Sequence, residues 1–342
     1  MEGNTEQEHQ GRNASIDVLR AVAVLFMVLV HAAATWMPDN ASRTSPLAYL
    51  VAGIGGLAAP LFVVLFGWGI AASKSLNAKK IIYRAGLLAV CQILVNISAP
   101  QLFDMWTPGV LTLFSLLYLT SPWWTQMAHY PRAEKLAIAS LILLPFVMYD
   151  YMGPSSWNAR IETTSLSMFV QHLLLTGQYP ILPWILFALL GAHLYHHPTS
   201  SSYSMLAGGG LLCCVATLVY SIASTRPWAL ATDPTGKAIL TFFPASSTFL
   251  LAASTGTLIL WMTTYERIKT RQMEPLGRMS LTVYVGHFIP IGLFHDWVDA
   301  SNPVHYGLIL GYTFVWIPIA YWWQKYAQTW TLETIMRKRL SS

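Results

Sequence analysis

Charge is what this sequence has least of. Only 10% of its 342 residues are Asp, Glu, Lys or Arg, far below the share that keeps a globular surface in water. With 54% hydrophobic residues and a mean hydropathy of +0.47, the solvent this chain is built for is a lipid bilayer. Cysteine is also scarce: Cys91, Cys213 and Cys214 lie inside apolar runs and read as small core residues. The sequence has no Walker loop, GxGxxG, HExxH or GxSxG, which removes the motif-based case for nucleotide, dinucleotide, zinc-protease and serine-hydrolase chemistry. A net charge of +5 is no nucleic-acid signature.

What the sequence does have is helix-length apolar runs. Hydrocarbon offers backbone groups no partners, so such runs cross as helices. The spacing predicts an all-α integral membrane fold of about ten transmembrane helices. Expected spans lie near 15 to 36, 48 to 72, 80 to 99, 108 to 126, 133 to 152, 179 to 196, 203 to 224, 245 to 265, 279 to 295 and 304 to 325. Residues 1–14 form a polar N-terminal segment, 15–325 a single transmembrane domain and 326–342 a basic C-terminal tail. The run SLSMFVQHLLLTG between the fifth and sixth spans is amphipathic and expected on the membrane surface, as is the segment from Ser224 to Pro244. Ala32, Ala33 and Ala34 superficially resemble a signal-peptide cleavage site. The ionisable residues Asp17, Arg20 and His31 in the same run argue against a disposable segment.

Short cytoplasmic loops are enriched in Lys and Arg. An even span count with the N-terminus inside puts sixteen basic residues on the cytoplasmic side, among them Arg12, Lys74, Lys269, Arg271 and Arg339, and leaves only Arg43, Arg160, Arg226 and Lys237 outside. Both termini are therefore expected in the cytoplasm, with the chain in the plasma membrane if the host is a prokaryote.

Three constellations could carry chemistry. On the first helix, eleven steps of 100° bring His31 to within about 20° of Arg20 and roughly 16 Å deeper, and Asp17 lies one turn before Arg20. Unpaired ionisable groups are costly near hydrocarbon, so this face points into the bundle. The bland alternative is a headgroup anchor plus a satisfied interior histidine. On the ninth helix, Tyr284 and His287 are neighbours at i and i+3, while Arg278, nine residues before His287, falls on the opposite face. On the third, Lys79, Lys80 and Arg84 form a basic cluster and Asn96 lies near the far surface. Past Asn96, Asp104 and Trp106 supply a carboxylate and a ring of the kind that bind sugars. His193, His196 and His197 read as a solvated cap on a helix end, not a metal site. Asn40 opens an NAS sequon, which matters only in a glycosylating host.

Several segments together resemble the transmembrane acyltransferase superfamily, specifically the heparan-alpha-glucosaminide N-acetyltransferase type. They are SIDVLRAVAVLFMVLVH, LAAPLFVVLFGWGIAAS, KKIIYRAGLLAVCQILVN, TPGVL, GQYPILPWILFALLGA and GRMSLTVYVGH, in that order. The spacing of Arg20 and His31 is similar to the R-x10-H hallmark of the related acyltransferase-3 family, which O-acylates cell-surface glycans. The animal N-acetyltransferases carry Asn where His31 stands and a histidine in the following loop, which MPDNASRTSPLAYL lacks.

The resemblance implies transfer of an acetyl or acyl group from cytoplasmic acetyl-CoA or another acyl-CoA to a sugar amine or hydroxyl across the membrane, with no metal. His31 is then the expected base, with Asp17 and Arg20 in support. Lys79, Lys80, Arg84, Asn96, Arg278, Tyr284 and His287 would serve the donor, and Asp104, Trp106 and His172 the acceptor. A homodimer is left open. The rival class is a transporter or lipid-binding bundle whose ionisable face is a proton or substrate path.

Overall fold

The computed structural model describes residues 13–37, 46–73, 76–268, 272–296 and 304–338. Arg12, Asn40, Arg43, Lys74, Lys269, Arg271 and Arg339 lie outside them. Of the described residues, 75% are helical. The first half contains α1 (Ala14–Trp36), α2 (Pro46–Ala71), α3 (Ala78–Ser98), α4 (Val110–Met127) and α5 (Pro131–Val147). A connection follows with a 3-10 turn, α6 (Asn158–Ile161) and α7 (Leu166–Gln171), which runs into a π turn at His172–Thr176. Next come α8 (Ile181–His196), α9 (Ser202–Ser224), the strands β1 (Ala229–Thr232) and β2 (Leu240–Phe243), and α10 (Ser247–Thr264). The last elements are α11 (Glu274–Arg278), α12 (Ser280–Gly286), α13 (Phe288–Leu293), α14 (Val304–Tyr326) and α15 (Leu332–Lys338).

Among the described residues, α1, α2, α3, α9 and α10 are long and apolar enough to cross a membrane. The piece from Leu166 to Thr176 and α8, bent by 47°, make a sixth span if counted together. The helices α4, α5, α12 with α13, and α14 stand where the remaining spans were expected but fall short of that length or apolarity.

Local chemistry sets the helix starts. Asn13 accepts a hydrogen bond from the Ser15 amide, Asn77 from Lys80 and Ser246 from Phe249, each satisfying an amide that a helix start leaves without a partner. The central helix is α1, with Leu19, Ala23, Val24 and Val28 fully buried against α2, α10, α11 and α14. Beside it α2 crosses α8 at a point where backbones touch. A Cβ on Gly67 would overlap the Ala188 carbonyl, and one on Gly191 the Val64 carbonyl, the small-residue packing that lets membrane helices approach closely.

The ninth span, expected over 279 to 295, is an apolar helix over Ser280–Leu293; Met279 kinks it away from α11, and a one-residue irregularity at His287 parts α12 from α13. Pro290 has no N–H to give the Gly286 carbonyl one turn earlier, and its ring crowds that carbonyl, which places the irregularity at His287. The segment from Ser224 to Pro244 forms a two-stranded parallel sheet with Ala229 opposite Leu240 and Thr232 opposite Phe243. Asp233 closes the connection by accepting from the Thr235 hydroxyl at 2.6 Å and the Ala238 amide at 2.5 Å.

Arg160 holds the loops at the end of the bundle where α1 finishes. It is 1% exposed, and its five N–H donors reach five carbonyls: Pro154, Thr176, Gly177, Met152 and Gly153, at 2.8 to 3.2 Å. Burial draws its guanidinium down to about 10, so it stays charged at neutral pH. Removing it strands those carbonyls. Arg160→Met is expected to cost roughly 2–4 kcal/mol of stability, read as a lowered melting temperature of the detergent-solubilised protein; an unchanged melting temperature would refute the role.

Candidate functional site

Two histidines meet at the inner face of α1. His31 Nδ1 lies 2.8 Å from His287 Nε2, and the rings stack with centroids 5.1 Å apart. The bond has a direction. His287 Nδ1 sits 2.6 Å from the Tyr284 carbonyl and 3.1 Å from the Val283 carbonyl. Carbonyls only accept, so Nδ1 carries the proton and Nε2 presents a lone pair. His31 Nδ1–H therefore donates to His287, which leaves His31 Nε2 as a free base. His287 is completely buried, and its own carbonyl accepts from the Tyr312 hydroxyl at 2.5 Å, so backbone on both sides fixes its ring.

Ion pairing holds the start of α1. Asp17, 1% exposed, receives Arg20 Nη1 at 3.0 Å and faces Arg278 Nε at 3.6 Å, while Arg278 Nη2 reaches Glu274 at 2.8 Å. A straight ninth helix would turn Arg278 away from His287. The break at Met279 turns both toward α1. Gly277 makes the approach possible, since a Cβ there would overlap the Asp17 carbonyl.

A single cavity of about 1140 Å³ joins the two groups, lined by Arg20, Arg84 and Arg278 and also by His31 and Tyr284. Its two ends differ. The end at the start of α1 adds Glu333 and Arg337 from α15, and the guanidinium of Arg84 lies 5.8 Å from the Tyr118 ring. The other end carries Tyr49, Trp157, Tyr179, Trp228 and Phe243 and holds no charged lining residue among those described. Trp157 and Trp228 spend their indole N–H groups on the Leu102 carbonyl and the Thr217 hydroxyl, so they offer the cavity ring faces.

Of the residues expected from sequence, Asp17, Arg20, His31, Arg84, Arg278, Tyr284 and His287 gather at or directly behind this cavity. Six do not. Lys79 and Lys80, on the first turn of α3, do not line it. Asn96 spends both amide hydrogens on the Met105 and Thr107 carbonyls, at 3.0 and 2.9 Å, and its oxygen accepts from Gln92 at 2.8 Å. It is a loop clamp with no donor to spare for an oxyanion. Asp104 and Trp106 are exposed beyond the cavity wall. His172 is buried between the Thr176 hydroxyl and the Glu162 carbonyl. His193 bonds to buried Glu134 at 2.8 Å, while His196 and His197 are exposed at the end of α8.

The sequence reading missed Trp157, Tyr179, Trp228, Glu333 and Arg337. Nothing in the spacing of the aromatics marks them, because loops deliver them. Glu333 and Arg337 carried one signal, their i, i+4 spacing on one helical face.

Spanning helices that enclose a cavity with titratable groups at its waist define an integral membrane protein with an internal polar site. The acyltransferase domain model of the acyltransferase-3 family matches residues 13–322, more than half of the chain, and the chain belongs to that family. It is a membrane acyltransferase. No curated protein matches the sequence.

Asn96 separates structural from chemical roles. Asn96→Ala is expected to lower the melting temperature while the turnover of the folded protein stays within about twofold, because it removes a clamp that stands outside the cavity. A loss of turnover with normal stability would return Asn96 to the site.

Proposed function

We propose that this protein transfers an acyl group from acyl-CoA, with acetyl-CoA the simplest donor, to a hydroxyl of a sugar acceptor reached from the opposite side of the membrane. The observation that carries the reading is the oriented His31 and His287 pair between an arginine-lined and an aromatic end of one cavity. With both termini cytoplasmic, the arginine end faces the cytoplasm, where Arg20, Arg84 and Arg278 meet the donor's phosphates. The rise along α1 from Arg20 to His31 is roughly 16 Å, the kind of distance a pantetheine arm spans between its phosphates and its thioester.

At His31 the acceptor hydroxyl gives its proton to Nε2 as its oxygen attacks the thioester carbonyl carbon. The imidazolium that forms is held by its Nδ1–H bond to the neutral His287 Nε2. Tyr284, whose ring lies 5.8 Å from that of His287, is placed to give its hydroxyl to the developing oxyanion. Collapse breaks the carbon–sulfur bond, the CoA thiolate takes the proton back from His31, and an ester is released. No covalent acyl-enzyme is needed, because donor and acceptor share one chamber.

Transfer to a glucosamine-like amine, as in the heparan-alpha-glucosaminide N-acetyltransferase type, is the second reading. One observation favours the hydroxyl: the only described carboxylate lining the cavity is Glu333, at the arginine end, so none near His31 can pair with an ammonium group. Sugars would meet the faces of Trp157 and Trp228 instead.

His31→Ala is expected to lower transfer at least about a thousandfold, while CoA still raises the melting temperature of the purified protein as it does for the wild type. Retained turnover of radiolabelled acetyl-CoA would remove His31 from the mechanism. Parallel assays with glucose and glucosamine acceptors separate ester from amide formation.

A further inference from the structure

Residues 326–342 read from sequence as a basic tail, yet α15 packs into the bundle. Its Glu333 carboxylate reaches the N-terminal turn of α12, accepting from the Leu281 amide at 2.7 Å, the Thr282 amide at 3.2 Å and the Thr282 hydroxyl at 2.6 Å. The contact is reciprocal, since the Leu332 amide that opens α15 donates to the Thr282 hydroxyl at 2.9 Å. On its other side α15 is tied to α3, where the Tyr83 hydroxyl donates to the Ile335 carbonyl at 3.3 Å. Tyr83 adjoins Arg84, so α15 bridges the helix bearing Arg84 to α12, which bears Tyr284 and leads into His287. One turn after Glu333, Arg337 is exposed and lines the mouth of the cavity.

We propose that α15 is a working part of the donor site: Glu333 positions the catalytic helix, and Arg337 binds the phosphates of the incoming donor. The proposal rests on the acyl-CoA reading. Its physical basis is that α12 starts at a kink. Met279 leaves helical geometry between α11 and α12, so the first amides of α12 have no intrahelical partner. A carboxylate on those amides satisfies them and complements the positive end of the helix. Glu333 does not repel a phosphate as a bare carboxylate would, because its oxygens already face three donors. Arg337 adds a fourth guanidinium to Arg20, Arg84 and Arg278 at the mouth.

The test uses full-length protein in detergent, with CoA and dephospho-CoA as binding probes and acetyl-CoA turnover as the kinetic readout. Arg337→Gln, a substitution of an exposed side chain, is expected to weaken CoA about tenfold and to raise KM for acetyl-CoA more than it lowers kcat. Glu333→Ala is expected to lower kcat about tenfold or more while CoA affinity stays within about threefold. Glu333→Gln, which keeps an acceptor oxygen for the two amides, is expected to recover most of that loss. Should Glu333→Ala fail to fold, Thr282→Val against Thr282→Ser probes the same contact with a smaller change. Variants that bind CoA and turn over as the wild type does would overturn the role of α15 and leave the acyl-CoA reading standing. A wild-type protein that neither binds CoA nor consumes acetyl-CoA would bring down both.

Discussion

The structure depends on how α1 is joined to the kinked ninth span inside a medium that penalises every unpaired charge or polar group. Two ties do it. At one end Asp17 draws in Arg20 and Arg278; at the other His31 donates to His287. Hydrocarbon offers none of these groups a substitute partner, so each tie holds the two elements in register. The space left between the ties is the cavity.

That arrangement needs the kink between α11 and α12. Along a straight helix Arg278 and His287 fall on opposite faces, and only one of them could reach α1. Breaking the helix at Met279 lets both do so. The groups such a break frees are reused: Thr282 and Leu281 give their amides to Glu333, and the His287 carbonyl receives the Tyr312 hydroxyl. Irregular backbone within a membrane protein is tolerated where protein groups satisfy it or where it lines a cavity, and here it does both.

The cavity is polarised by charge. Arginines from four elements converge at one end, while the other is walled by aromatic rings, among them Trp157 and Trp228, whose indole N–H groups the protein already uses. Behind the aromatic wall, Arg160, Asn96 and Thr107 knit the loops together. Thr107 reaches the Ile161 carbonyl at 2.7 Å, and Asn96 holds the backbone on either side of Trp106. Rigidity of that end comes from buried hydrogen bonds to backbone. The arginine end relies on ion pairs instead.

The sequence by itself determined the solvent, the helical class, the positions of the long apolar elements and the shared face of Asp17, Arg20 and His31. These follow from composition and from a 3.6-residue period, which local order carries. It also singled out His287 as an interior histidine, although not as the partner of His31. Only the tertiary structure decided that pairing, the turn of Arg278 toward α1, the delivery of Trp157 and Trp228 by loops, and the docking of α15. It also placed Asn96, Asp104, Trp106 and His172, whose residue types suited a site, outside the cavity lining. The reason is the same in each case. A helical wheel assumes an unbroken helix and says nothing about which face of another element will meet it, so contacts far apart in sequence are set by where helices break and what their freed backbone groups find.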